Sequence, residues 1–167
     1  MKSVMDEAEN VDKHALLRAD FAMLSNGNIY LDSSSTSLKP MQVSQAIGKV
    51  YSHYCSNVGR SNHQIAEHVT SEFENVRTKL ALMLNCYVDE TAFSFNCTDS
   101  INTVANSLDL TNEDQVIVSE LEHHSNLLPW LNRAKVKIVR TLESGKIDLD
   151  HLEELLKTRT RLISVTH

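Results

Sequence analysis

Glycine and proline are sparse, with four and two residues in a chain of 167. No internal repeat or low-complexity tract stands out either, so nothing marks a linker within residues 28–167. Cysteine is equally thin: Cys55, Cys86 and Cys97 are odd in number and widely spaced. They form no C-x-x-C pair to hold zinc or run a thiol redox cycle, so we expect no metal centre and a reducing, cytoplasmic setting. Basic residues are outnumbered, 16 Lys and Arg against 22 Asp and Glu, for a net charge of -6. That balance excludes a general binder of nucleic acid or anionic membrane, because no basic excess is available to neutralise phosphates. Small anionic ligands need only local donors and are not excluded. No apolar stretch approaches the ~20 residues of a membrane span. Asp6, Glu7, Glu9 and Asp12 interrupt the stretch from Met1 to Ala19, which excludes a secretory signal.

What is present suits one globular domain: 41% hydrophobic and 23% charged residues, with nothing that demands a second domain. Residues 1–27 read as an N-terminal helical extension, with a short helix around Val11 to Leu24 offering Leu16, Leu17, Phe21 and Leu24 for docking. The body, residues 28–167, opens on a strand-like Asn28 to Asp32 and a polar loop ending at Pro40. Val43, Ala46, Ile47, Val50, Tyr51 and Tyr54 then recur at helical spacing and predict a core-facing stripe. A second helix is expected from His63 to Leu84, burying Ala66, Val69, Phe73, Val76, Leu80 and Leu84, with Glu72, Arg77 and Lys79 toward water.

Beyond Asn85 the period alternates. Strands are expected at Thr91 to Phe95, Gln115 to Ser119, Val136 to Val139 and Arg161 to Thr166; helices at Ile101 to Leu108, Leu127 to Ala134 and Asp150 to Lys157. That order predicts an α/β domain, a mostly parallel sheet with flanking helices. In such sheets ligands bind beyond the carboxyl ends of the strands.

Two post-strand loops carry candidate chemistry. In Asn96 to Ser100, Thr98 at a helix N-terminus can present a hydroxyl and free backbone N–H groups to a phosphate. Taken alone, the segment also fits a helix cap by Thr98, Asp99 or Ser100, and the local sequence favours the cap. In Glu122 to Asn126, His123 and His124 can each stack on a ring, accept a proton or bind a metal. Adjacent loop residues point apart, which argues against a shared metal, and Ser125 or Asn126 can cap the next helix.

The combination is more specific than its parts. Tyr30-Leu31-Asp32-Ser33, Val58-Gly59-Arg60-Ser61-Asn62-His63, Glu74-Asn75-Val76-Arg77, Phe95 through Asn106, and Glu122-His123-His124-Ser125-Asn126-Leu127-Leu128-Pro129-Trp130 stand in order, followed by Gly145 to Leu149 and Thr160 to Ile163. Together they resemble the class V aminotransferase family, and within it the group II cysteine desulfurases and selenocysteine lyases. The resemblance implies part of the large domain of a fold type I transferase dependent on pyridoxal 5'-phosphate (PLP). It implies a homodimer that takes sulfur from L-cysteine, or selenium from L-selenocysteine, and leaves L-alanine, with a place in iron–sulfur cluster assembly. By the same resemblance His123 stacks on the cofactor ring as the catalytic histidine, Cys97 and Thr98 hold its phosphate, and Arg60 and His63 lie in a loop near the active site.

The chain departs from the pattern where Asn96-Cys97-Thr98 replaces Gly-Thr-Thr, where Gly59 replaces a histidine, and where Ser34-Ser35 replaces a smaller pair. Cys97 is a weaker donor than a hydroxyl, and Asn96 lacks glycine's freedom at positive φ. The family's cofactor-bonding lysine, its pyridine-pairing aspartate and its sulfur-accepting cysteine lie beyond the equivalent of His167. Cys55, Cys86 and Cys97 therefore read as ordinary small residues, and Lys135 and Lys137 are not substitutes for that lysine. The expectation is the N-terminal part of a cysteine desulfurase, inactive alone. The alternatives are a partner-binding module or half of a split enzyme completed by a C-terminal chain, and another class V enzyme such as an aminotransferase or epimerase.

Overall fold

The structure, a computed structural model, describes residues 13–166. The expected helix start at Val11 lies outside the described residues. The chain divides into two compact units, one ending at Thr91 and one beginning at Ala92. The boundary falls at the head of the Thr91 to Phe95 segment, expected to be a strand.

In the first unit, helix α1 (Lys13–Ala19) stops short of Leu24, which belongs instead to a separate single turn, Ala22–Leu24. The break serves the next helix, α2 (Met41–His53): the Asp20 carbonyl accepts the Met41 N–H at 2.8 Å and its carboxylate accepts from Gln42 Nε2 at 2.7 Å. An anion beside a helix N-terminus meets unpaired amides and the positive end of the dipole. Phe21 and Leu24 are half-buried, while Leu16 and Leu17 are exposed. Asn28 to Asp32 forms no strand. The α2 stripe is not buried as expected: Ile47 is 52% and Tyr51 75% exposed. Helical spacing reveals a face that favours cover, not what covers it, and among the described residues no element of its own unit packs extensively on α2.

Helix α3 (Gln64–Leu84) begins on His63, whose Nδ1 accepts the Ala66 N–H, and ends on Asn85 at φ 53, a left-handed closure that asparagine tolerates better than most residues. It buries Ala66 and Ala81, whereas Val76 and Leu84 of the expected buried face are exposed. Arg77, expected in water, lies with its guanidinium carbon 5.2 Å from the Phe73 ring centre and donates to the Thr91 carbonyl at 2.7 Å. The Thr91 carbonyl is thereby engaged by a side chain rather than a neighbouring strand, and Thr91 to Phe95 forms no strand.

The second unit matches the expected alternation. Helix α4 (Cys97–Ser107), β1 (Gln115–Ser119), the short α5 (Leu128–Leu131), β2 (Lys135–Val139), α6 (Leu149–Leu156) and β3 (Thr160–Ser164) build a parallel three-stranded sheet in the order β2-β1-β3. β1 pairs in register with β2 and, past an irregularity at Gln115, with β3. Its β-branched run is buried throughout because the strand is central. Val116 and Val118 share one core with Ala105 of α4, Trp130 of α5 and Ala134, while Ile117 points to the opposite face. Asp114, buried just before β1, accepts from Thr111 N–H and hydroxyl and pairs with Arg159 at 3.1 Å. The Thr111 N–H chiefly, with help from Arg159 and Arg161 and against burial, holds its carboxyl below the ordinary value. Among the described residues no helix is long and apolar enough to cross a membrane.

Candidate functional site

Thr98 and His123 line one cleft of about 430 Å³, together with Asn102, His124, Ser125, Leu128 and Pro129. Helix α4 supplies one side and the turn after β1 the other, both from the second unit. The two segments read as candidate chemistry thus meet at one cleft, although no strand precedes the Asn96 segment. The Cys97 side chain is exposed and does not line the cleft.

The cap of α4 differs from the expectation. Asn96, and not Thr98, Asp99 or Ser100, is the cap: its Oδ1 accepts the Asp99 N–H at 2.8 Å. The Asp99 carboxylate in turn accepts the Phe95 N–H at 3.2 Å. Asn96 has φ -169, extended backbone open to any residue, so the loop makes no demand for glycine there. The cap also leaves Cys97 and Thr98 N–H unbonded among the described residues, at the positive end of an 11-residue helix. Capping and anion binding are thus compatible in this loop, because they use different amides. The Thr98 hydroxyl adds a side-chain donor on the cleft wall.

Across the cleft, His123 caps the single turn His124–Asn126, and the next helix, α5, begins after Leu127 with no side-chain cap from Ser125 or Asn126. Ser125 N–H donates to His123 Nδ1 at 3.1 Å, with the Ser125 hydroxyl 2.8 Å from the same nitrogen. An Nδ1 that accepts leaves the proton of the neutral ring on Nε2. The His123 and His124 ring centres are 6.1 Å apart.

Glu122, beside His123, is a residue of this turn that the sequence did not single out. Its carboxylate accepts from Ser119 Oγ at 2.6 Å, Asn126 Nδ2 at 2.8 Å, Thr166 N–H at 2.7 Å and the Thr166 hydroxyl at 2.8 Å. Burial raises its pKa, but these donors more than offset that and bring it down to about 2. The available signal was a carboxylate beside the histidine pair; its partner Thr166, far along the chain, becomes visible only once β3 lies beside β1.

Arg60 and His63 belong to the first unit. Arg60 is exposed, and His63 is occupied as the α3 cap, with Nε2 3.4 Å from Ser56 Oγ. Gly59 has φ +76, and its N–H donates to Thr70 Oγ1 at 2.9 Å, so its replacement of histidine fits a left-handed position. Lys135 pairs with Glu113 at 3.3 Å, and neither it nor Lys137 lines the cleft.

The donor set suits an anionic group joined to a flat ring: Thr98, with its free amide and hydroxyl, lines the cleft together with the oriented imidazole of His123, Leu128 and Pro129. The volume lies within the ~300–1,000 Å³ typical of small-molecule sites. Residues 29–167 match the aminotransferase class-V family, and the chain belongs to it. It is 34% identical over 155 residues to a probable cysteine desulfurase of Methanothermobacter thermautotrophicus, covering 90% of this chain and 38% of the relative. It is 36% identical over 172 residues to the cysteine desulfurase of Escherichia coli, covering 95% of this chain and 42% of the relative. The apo cysteine desulfurase of Thermococcus onnurineus NA1 superposes with a TM-score of 0.82 at 30% identity, over 90% of this chain and 39% of that one. A second structure, a C-DES mutant K223A with glycine linked to its PLP cofactor, shares the fold with a TM-score of 0.76 at 19% identity, covering 90% of this chain and 40% of that one. The chain thus spans about 40% of the length of these curated relatives. Class V membership implies PLP as the family's cofactor.

Proposed function

We propose that this chain is the N-terminal part of a PLP-dependent cysteine desulfurase and carries the phosphate-holding and ring-stacking half of its active site. The observation that carries this reading is the cleft itself, in which Thr98, at an α4 N-terminus with free amides, faces the oriented imidazole of His123. Cys97 contributes its backbone N–H, and Thr98 its N–H and hydroxyl, to the phosphate; donors fixed in place bind an anion without reorganising. His123 lies against the ring face, held in plane by Ser125 and protonated on Nε2. When bound, PLP supplies an electron sink for the carbon chemistry of the amino-acid substrate. The lysine that bonds the cofactor and the cysteine that takes the sulfur come from further polypeptide, and L-cysteine, or L-selenocysteine, is the substrate. Exposed apolar residues such as Leu82 and Met83, 77% and 82% accessible, support a surface that the rest of the enzyme covers. On this reading the enzyme is a cytoplasmic homodimer that serves iron–sulfur cluster assembly.

Pyridoxine 5'-phosphate tests the site without side reactions, since it has the ring and phosphate but no aldehyde to attack surface lysines. In a nitrogen-15 NMR titration, shifts should concentrate at the Cys97, Thr98, Asn102 and His123 signals and weaken in Thr98→Ala. Shifts scattered over the surface, or unchanged by Thr98→Ala, would remove the proposal.

A further inference from the structure

The Glu122 carboxylate has about four lone-pair sites, and all are used: Oε1 accepts from Ser119 Oγ and Thr166 N–H, Oε2 from Asn126 Nδ2 and the Thr166 hydroxyl. The donors come from the last residue of β1, from the turn itself and from just beyond β3. Asn126, 8% exposed, extends the cluster: its Nδ2 also donates to the Ser164 carbonyl at 3.2 Å, and its Oδ1 accepts from Ser164 Oγ. Its backbone N–H donates to the His123 carbonyl at 2.8 Å.

The His123 ring, by contrast, is exposed and, among the described residues, bonds within its own turn. Its place relative to the strand ends is therefore set by whatever fixes that turn. The β1/β3 ladder already joins those strands through backbone bonds, so the side-chain cluster adds constraint where the turn leaves the sheet. We propose that Glu122, acting through Asn126, is the positioning residue that holds the His123 ring across the cleft from Thr98. The inference rests on reading His123 as the ring-stacking residue. A stacking group needs its plane held within roughly 10–20° to be productive, a tolerance that an untethered turn does not provide.

The experiment reads the ring directly, in the full chain without cofactor. Nitrogen-15 NMR of the His123 imidazole, at mildly alkaline pH, should give two well-separated ring signals, those of one tautomer protonated on Nε2. In Glu122→Gln, still folded, the separation should collapse toward the tautomer average. Thr166→Ala, a milder change that removes one of the donors, should produce a smaller collapse. Combining Glu122→Gln with Asn126→Asp, which exchanges amide and carboxylate, should restore much of the separation. Retention of pyridoxine 5'-phosphate should fall about tenfold in Glu122→Gln, the scale seen when an outer partner of a bound group is lost.

Folded Glu122→Gln and Thr166→Ala proteins with wild-type ring signals would overturn the proposal and leave Glu122 a fold clamp only. Averaged ring signals in the wild-type chain would overturn it as well. A ring ordered by Glu122 in a chain that binds no pyridoxine 5'-phosphate would uphold the positioning role and remove the cofactor reading instead.

Discussion

Replacing Glu122 by glutamine should make the chain's acid sensitivity legible at one carboxylate. In the folded chain Glu122 has a pKa of about 2 against an ordinary 4.5, with burial opposed and outweighed by Ser119, Asn126 and Thr166. A folded-state value below the unfolded one means stabilisation that is fully present above the ordinary value near 4.5 and is lost as pH falls toward about 2. At ~1.4 kcal/mol per pH unit the full difference corresponds to about 3 kcal/mol. The side chain is only partly buried, so solvent screening reduces this to about 1–3 kcal/mol. Glutamine keeps the shape, but its NH2 can confront the Asn126 amide and leave a donor unmatched. Urea melts of wild type and Glu122→Gln should therefore differ by about 1–3 kcal/mol near neutral pH, with the gap closing steadily below the ordinary value as the carboxyl of the unfolded wild-type chain takes up its proton. A gap that stays constant with pH would refute the charge-based account and assign the loss to shape alone.

Asn96→Ala should cost about 1 kcal/mol by removing the acceptor of the Asp99 N–H, seen as faster hydrogen exchange at Asp99; unchanged exchange would contradict the cap. Trp130 is 1% exposed and its indole N–H has no acceptor among the described residues. Trp130→Phe should consequently cost less than about 1.5 kcal/mol, against about 3–5 for Trp130→Ala; equal losses in urea melts would point to an acceptor for that N–H. The isolated chain, given L-cysteine and excess PLP, should form no more alanine than His123→Ala does, and formation above that control would show a complete active site.

The second unit was legible because its elements bury one another locally. The Gln115 to Ser119 run is apolar for a strand flanked on both sides, and the helices around it pack on that sheet. Thr91 to Phe95 misled because alternation signals a strand only if a ladder partner exists; here Thr91 C=O and Phe95 N–H bond to side chains, and Phe95 is 96% exposed. The α2 stripe misled in the same way, since period reports amphipathy and not cover. At the site, His123 could be found because it stands in a post-strand turn, and Thr98 because it stands at the start of a helix, although the strand expected before that helix does not form. The cap on Asn96 and the Glu122 cluster could not. The first depends on which of several polar residues adopts the extended backbone, the second on β3 bringing Thr166 beside β1.

The proposed function gives this chain the cofactor-holding half of a cysteine desulfurase. Its most direct test replaces the corresponding segment of the Escherichia coli cysteine desulfurase with residues 29–166 of this chain and measures PLP bound per chain and alanine formed from L-cysteine. The account predicts a chimera that purifies with PLP and turns over L-cysteine, loses PLP on dialysis in Thr98→Ala, and loses turnover with its fold intact in His123→Ala. A folded chimera that holds no PLP, or one whose PLP retention and turnover are indifferent to both substitutions, would contradict it.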